Sequence, residues 1–275
     1  MSVLVAEARK VPAFMRRDLL VMLSYRAAFA GDLFYIAVQA IMFGFVAELI
    51  DDSKLPSYGG VPASYFDFVM IGVIITTVCT VLLQRVAMAV RQEQMIGTLE
   101  ALLVTPTSAT TVQVGSVAFD LVFVPIRMAL LLAAVAITLG LGYELSGVLP
   151  SLVLLAGLVP FVWGLGLMTA AAIVTFRRGT GPLGVIMSVL GLASGAFFPL
   201  TLLPDWIQTL AEANPVAIAM EGTREALIGG AGWDALSGSD LIVLVVMSGA
   251  ALFAGIMAFR AALAREHRRG TLGLY

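Results

Sequence analysis

Six long apolar runs, separated by shorter polar stretches, divide the chain into candidate membrane-spanning helices. The runs reach or exceed the roughly 17–25 residues that a helix needs to cross a bilayer. The third run is interrupted by Asp120, Pro125 and Arg127, and Pro160 predicts a kink in the fourth. No internal repeat is visible, so residues 1–275 are predicted to form a single transmembrane domain. The predicted spans cover residues 29–50, 66–90, 112–141, 149–176, 182–203 and 239–262.

Two further segments are apolar but do not fit a simple span. Residues 3–25 place apolar side chains at helical spacing opposite four basic ones, which predicts a helix lying in the membrane interface. Residues 204–228 are too apolar for an ordinary outer loop and contain Pro204, Trp206 and Pro215. Tryptophan is typical of membrane interfaces. We interpret this segment as short re-entrant helices that dip into the outer leaflet before the last span.

Composition supports the membrane assignment. Of 275 residues, 60% are hydrophobic and 12% are charged, and the mean hydropathy is +1.00. Soluble domains carry about 25% charged residues, so a soluble fold would lack the polar surface to cover such a chain. The sequence therefore predicts an all-α membrane protein.

Lysine and arginine residues set the predicted orientation. With six spans and a cytoplasmic N-terminus, only Lys54 and Arg224 fall on the outer side. This asymmetry predicts a multi-pass protein of the inner (plasma) membrane with both termini in the cytoplasm. The residues predicted to be cytoplasmic are Arg9, Lys10, Arg16, Arg17, Arg26, Arg85, Arg91, Arg177, Arg178, Arg260, Arg265, Arg268 and Arg269.

Motifs for catalysis, metal binding and nucleotide binding are absent from the sequence. It contains no GxxxxGK[ST] phosphate loop, HExxH or GxSxG. Cys79 is the sole cysteine, and the single histidine, His267, lies in a basic tail, where it is expected to be solvated. We therefore predict no catalytic residue, no metal site and no cofactor bound by this chain.

Two pairs of residues within the predicted spans invite structural hypotheses. Asp120 and Arg127 lie two helical turns apart on roughly one face of the third span. They would form a buried pair facing a translocation pathway, or an ion pair that packs helices; alternatively, Asp120 reaches inner-leaflet water. Gly191 and Gly195 form a GxxxG pattern in the fifth span, which would permit close helix approach.

The second cytoplasmic stretch predicts a docking element. After the second span the chain is charged, breaks at Gly97, and then forms a short amphipathic turn that Pro106 ends. This turn displays Leu99, Leu102 and Leu103 just outside the bilayer. Exposed leucines on a short cytoplasmic helix favour a protein partner.

The same stretch carries a family resemblance. The sequence Gln92-Glu93…Gly97-Thr98-Leu99-Glu100…Leu103-Val104-Thr105-Pro106 closely resembles the signature loop of the type-2 ATP-binding-cassette (ABC-2) export permeases. A second match runs from Phe197-Phe198-Pro199 through Leu203-Pro204-Asp205-Trp206 and Asn214-Pro215 to Glu221-Gly222-Thr223-Arg224. It is similar to the fifth span and outer re-entrant helices of that family, and Phe14–Asp18 resembles its interfacial helix.

The resemblance implies a permease that pairs with a second copy or a homologous permease. Two separate ATPase subunits would bind ATP and Mg, and nucleic acid would not be a partner. The cargo would be amphipathic, lipidic, drug-like or a lipid-linked glycan, moved outward. The implied coupling residues are Gly97, Thr98, Leu99, Glu100, Leu102, Leu103, Thr105 and Pro106. The implied outer gate comprises Phe198, Pro199, Pro204, Trp206, Asn214 and Pro215.

Two other function classes stay open at this level. An ion-coupled secondary carrier would normally show inverted repeats and ion ligands near the membrane midplane. An intramembrane enzyme would need a catalytic pair facing a hydrated cavity. The sequence provides neither feature, so the exporter permease is the favoured hypothesis.

Overall fold

The computed structural model describes residues 10–24, 26–52, 55–96, 115, 118–126, 129–130, 133, 136–137, 142–176, 181–236 and 238–269. Its helices are α1 (Val11–Ser24), α2 (Arg26–Ala47), α3 (Tyr65–Ile96), α4 (Val148–Phe176), α5 (Gly181–Ala193), α6 (Asp205–Glu212), α7 (Pro215–Leu227) and α8 (Gly238–Arg269). A short antiparallel hairpin, β1 (Ser57–Tyr58) with β2 (Val61–Pro62), lies between α2 and α3. The described part is mostly helical, as the sequence predicts.

Helix α3 forms the centre of the bundle. It begins at a cap in which the Asp67 backbone N–H donates to the Ser64 hydroxyl oxygen at 3.1 Å. The Ser64 hydroxyl in turn donates to the Asp67 carboxylate at 2.7 Å. Such caps satisfy the free donors of a helix start. The helix then runs for 32 residues without a proline, and most of its apolar part is buried.

Glycines allow α4 and α8 to pack closely. A Cβ atom on Gly164 of α4 would overlap the backbone at Ala251 of α8. A Cβ atom on Gly255 of α8 would overlap the carbonyl of Gly164. Only glycine permits this backbone approach, so these two positions fix the crossing of the helices.

Three helices in the described part of the chain are long and apolar enough to cross a membrane. They are Tyr65–Ala89 within α3, Leu145–Ile173, which includes α4, and Gly238–Ala262 within α8. They coincide with the second, fourth and sixth predicted spans. Helix α2 has 22 residues and overlaps the first. The third lies mostly outside the described residues, so the total of six stays a prediction.

The fifth predicted span is a short helix followed by a turn. Helix α5 has 13 residues and is therefore about 20 Å long, less than the ~30 Å apolar core of a bilayer. Gly195 follows the helix with φ of 69°, a left-handed conformation that ends helices. The predicted GxxxG pair is therefore not part of one helix, and a Cβ on Gly191 would meet nothing described within 4 Å. Close approach of a second copy of the chain at these two glycines stays a prediction.

Candidate gate around a buried arginine

The segment after α5 folds back into two short helices, α6 and α7. Asn214 connects this segment to α5, because one end of its side-chain amide bonds within the segment and the other end bonds to α5. Its oxygen accepts the Val216 N–H at 3.0 Å and so caps α7. Its nitrogen donates to the carbonyl of Ala193, the last residue of α5, at 2.9 Å. Pro215 occupies the first turn of α7, where its missing N–H costs nothing.

Arg224 of α7 is the largest fully buried side chain among the described residues, with 2% of its surface exposed. Its guanidinium donates to the carbonyls of Gly195 at 2.9 Å, Ala196 at 3.2 Å and Phe68 at 3.3 Å. We call these three carbonyls the carbonyl cage. The guanidinium carbon also lies 3.5 Å from the centroid of the Phe68 ring. The cage therefore joins α3, α7 and the turn after α5.

The buried charge is compensated from one side by an acid. Arg224 lies 3.3 Å from a carboxylate oxygen of Glu221, whose side chain is 52% exposed. Burial lowers the pKa of Arg224, whereas Tyr58 and Glu221 raise it. Arginine stays protonated in proteins, so the cage holds a cation. Burial likewise raises the pKa of the neighbouring Tyr58, whose phenol is therefore neutral at physiological pH.

Contacts from α2 and α3 hold the same turn in place. The Tyr65 hydroxyl donates to the carbonyl of Phe197 at 3.1 Å. The Phe197 ring stacks on Phe43 of α2 with centroids 5.7 Å apart. A Cβ on Gly72 of α3 would overlap the Ala196 carbonyl, so α3 approaches the turn as closely as a helix backbone can. Helices α2, α3 and α7 thus all contact Gly195, Ala196 and Phe197, which we call the gate turn.

The comparison with known families settles what kind of protein contains this arrangement. The family model for the ABC-2 type transporter matches residues 9–228, which include α1 through α7 and the whole cage. The chain belongs to the ABC-2 type transporter family. It is therefore a transmembrane permease of an ABC transporter. No curated protein matched the chain.

The predicted gate residues of this permease lie on the segment that runs from the gate turn to the start of α7. Pro199 is buried and precedes a turn of 3-10 helix, Leu200–Leu202, while Phe198 beside it is half-buried. Pro204 precedes α6, whose Trp206 is 67% exposed. These residues belong to one folded segment, but a gating role for them stays a prediction.

Sequence reasoning missed Arg224 as a functional residue. From the sequence, Arg224 was only one of two basic residues on the predicted outer side and part of the family resemblance, whereas the structure shows that its side chain is buried. The available signal was an arginine with Glu221 one turn earlier, within a helix whose other buried residues are mostly apolar. A charge in such a context indicates a specific partner.

The predicted coupling residues, Gly97 through Pro106, lie outside the described residues of the permease, and so does Arg127. Asp120 is described and lies 3.6 Å from the Nε atom of Arg85 on α3. The Arg85 side chain is 52% exposed and that of Asp120 is 18% exposed. The hypothesis of an Asp120–Arg127 pair stays a prediction. The structure shows Arg85 as a second candidate ion-pair partner of Asp120, and residue spacing along one helix could not reveal it because Arg85 lies on another helix.

A double-mutant cycle distinguishes the two arginines. We expect Asp120→Asn and Arg85→Gln to couple by less than about 1 kcal/mol in the free energy of unfolding, because a half-exposed ion pair contributes little. Denaturant unfolding in mixed micelles measures the coupling. A buried Asp120–Arg127 pair would give several kcal/mol in the parallel cycle with Arg127→Gln, whereas additive effects there would reject that pair.

Proposed function

We propose that this permease is the membrane-spanning half of an ATP-driven exporter. Separate ATPase subunits would bind ATP and Mg, and a second permease copy or a homologous permease would complete the transporter. The cargo class we propose is amphipathic, lipidic, drug-like or a lipid-linked glycan. The observation that carries the mechanism is the course of α3, which extends from the carbonyl cage to Ile96, directly before the predicted coupling segment.

Helix α3 has the length to connect these two places. Its 32 residues correspond to about 48 Å, against an apolar bilayer core of ~30 Å. The apolar part ends at Ala89, so the last seven residues extend about 10 Å further. No proline interrupts the helix. A displacement at Ile96 would therefore reach Phe68 as a tilt or shift of one rigid element.

At the other end, such a shift would act on the gate turn. The Phe68 carbonyl belongs to α3, whereas the other two cage carbonyls belong to the turn and Arg224 belongs to α7. Moving α3 would lengthen the bonds from Arg224 to Phe68 and separate Gly72 from Ala196. We propose a closed state with the cage intact and an open state with it broken, with ATP binding favouring the open state.

The proposed orientation places the cage on the outer side and both termini in the cytoplasm. Single cysteines in a Cys79→Ser background test it in intact cells. We expect an impermeant thiol reagent to label Ser57→Cys, Glu144→Cys and Asp234→Cys, all at exposed positions, and to spare Arg91→Cys and Arg178→Cys. Strong labelling of Arg178→Cys would reject the six-span arrangement.

The exporter function itself is tested with the complete transporter. The permease is purified with its ATPase, and ATP hydrolysis is measured while lipids, drugs and glycolipids are added in turn. We expect at least one class to stimulate hydrolysis and to accumulate across proteoliposome membranes only with ATP. Uptake driven by an ion gradient without ATP would instead identify a secondary carrier.

A further inference from the structure

A cavity of about 460 Å³ lies beside α7, and Arg224, Phe68, Gly195 and Ala196 of the carbonyl cage are not among its lining residues. Its walls come from α3, α4, α7 and the described residues between 129 and 137. This volume falls within the roughly 300–1,000 Å³ typical of small-molecule sites. Representative lining residues are Ile71, Ile74, Ile75, Ala133, Leu152 and Leu155.

The walls of the cavity offer almost no hydrogen-bonding capacity. All three lining hydroxyls already donate to backbone carbonyls: Ser151 donates to Gly147 at 2.7 Å and Thr223 to Ala219 at 2.6 Å. The Tyr143 hydroxyl donates to the carbonyl of Asp67 at 3.0 Å. Ordered water needs two to four polar partners. The cavity therefore suits a hydrocarbon better than water or a polar solute.

One end of the cavity is polar and open. Glu144 lines this end and is exposed, and it directly precedes the apolar stretch Leu145–Ile173. The neighbouring lining residues Leu145 and Ile137 are 88% and 82% exposed, respectively. In a membrane protein, exposed aliphatic side chains at the end of a span face lipid. The cavity is thus open to the bilayer at the level where Glu144 meets the head groups.

We propose that this cavity binds one hydrocarbon chain of a resident bilayer lipid whose amine-bearing head group lies at Glu144. The apolar walls bind the chain through dispersion contacts that an unfilled cavity would lack, and the carboxylate attracts the ammonium group. The same carboxylate repels a purely anionic head group. Because the site lies within one chain, the proposal does not depend on the exporter function.

Photo-crosslinking tests the position of the chain. The full-length permease, with its ATPase, is placed in nanodiscs containing a phosphatidylethanolamine with a diazirine on its acyl chain. We expect crosslinks at cavity-lining residues of α3 and α4. Leu152→Trp, which fills the cavity, should lower this labelling by about fivefold or more, equivalent to roughly 1 kcal/mol. The matched control Val153→Trp changes a neighbouring, 39% exposed position that does not line the cavity, and should leave labelling unchanged.

A second filling variant and a lipid comparison complete the test. Ala136→Phe fills the cavity from the opposite wall and covers the case in which Leu152→Trp does not fold. Glu144→Gln should remove the preference for phosphatidylethanolamine over phosphatidylglycerol with the same chains, whereas Asp234→Asn should not. Equal labelling in Leu152→Trp and Val153→Trp, or no change of preference in Glu144→Gln, would overturn the proposal. Depletion of the lipid during ATP turnover would identify it as cargo and overturn its resident role.

Discussion

Replacing Arg224 by methionine is expected to destabilise the permease by on the order of 3 kcal/mol and to open the gate turn without ATP. The change removes a cation that satisfies three buried carbonyls, and unmade hydrogen bonds of this kind cost ~1–3 kcal/mol each. Arg224→Lys should recover only part of the loss, because an ammonium group lacks the planar fork that reaches all three carbonyls and stacks on Phe68. Denaturant unfolding and thiol labelling of the gate turn measure the two effects.

Two control variants distinguish the effect of losing the cage hydrogen bonds from the effect of losing a charged side chain in general. Arg260→Met removes an exposed arginine on α8 and should change stability by less than about 0.5 kcal/mol. Glu221→Gln alters the half-exposed acid but keeps the carbonyls bonded, so its effect should stay below about 1 kcal/mol. If the Arg224→Met permease unfolds at the same denaturant concentration as the native chain, and its gate turn is labelled no faster, then the carbonyl cage does not hold the gate turn closed.

The second large effect is expected at the predicted coupling segment. Leu102→Asp and Leu103→Asp should each abolish co-purification of the ATPase, since burying a leucine contributes about 1.5–3 kcal/mol and burying an unpaired carboxylate costs more. In the predicted helix, Glu100 would lie roughly 100° around the axis from Leu99. Glu100→Lys should therefore keep the complex but lose substrate-stimulated ATP hydrolysis.

The contrary hypothesis for these leucines is that they rest on the membrane surface. Under that hypothesis the ATPase would still bind both aspartate variants. Leu103→Met is the matched control, because it keeps an apolar side chain of similar volume and should retain the partner. Full ATPase binding and transport by Leu102→Asp and Leu103→Asp would remove the coupling assignment.

Local signals predicted much of this fold from the sequence. Apolar length located α3, α4 and α8, because a membrane span is a property of consecutive residues. Residues 204–228, predicted to be re-entrant, include two short helices, α6 and α7, and Pro204 and Pro215 precede or begin them; insertion of the segment into the outer leaflet stays a prediction. The fifth span was predicted to reach residue 203, whereas α5 ends at Ala193. An uncharged run does not reveal where a helix ends in a buried turn.

Long-range contacts could not be predicted in the same way. Arg224 and Phe68 are 156 positions apart, so no periodicity connects the guanidinium to its cage. The contact of Gly164 with Gly255 likewise joins two helices through residues that look unremarkable along either one. The sequence does not distinguish a glycine at a helix crossing from a glycine that faces lipid; only the tertiary structure does.

In the proposed mechanism α3 connects the predicted coupling segment at one end to the gate turn at the other, and one labelling experiment tests this connection directly. Ser194 is 1% exposed and precedes the gate turn. In the Cys79→Ser background, Ser194→Cys is reacted with a maleimide in nanodiscs that contain the permease and its ATPase. Ser57→Cys, already exposed, calibrates reagent access. We predict that ATP with vanadate accelerates labelling of Ser194→Cys several-fold, and that adding Leu102→Asp abolishes this response. A labelling rate that is unchanged by ATP, or that responds equally with Leu102→Asp present, would contradict the account.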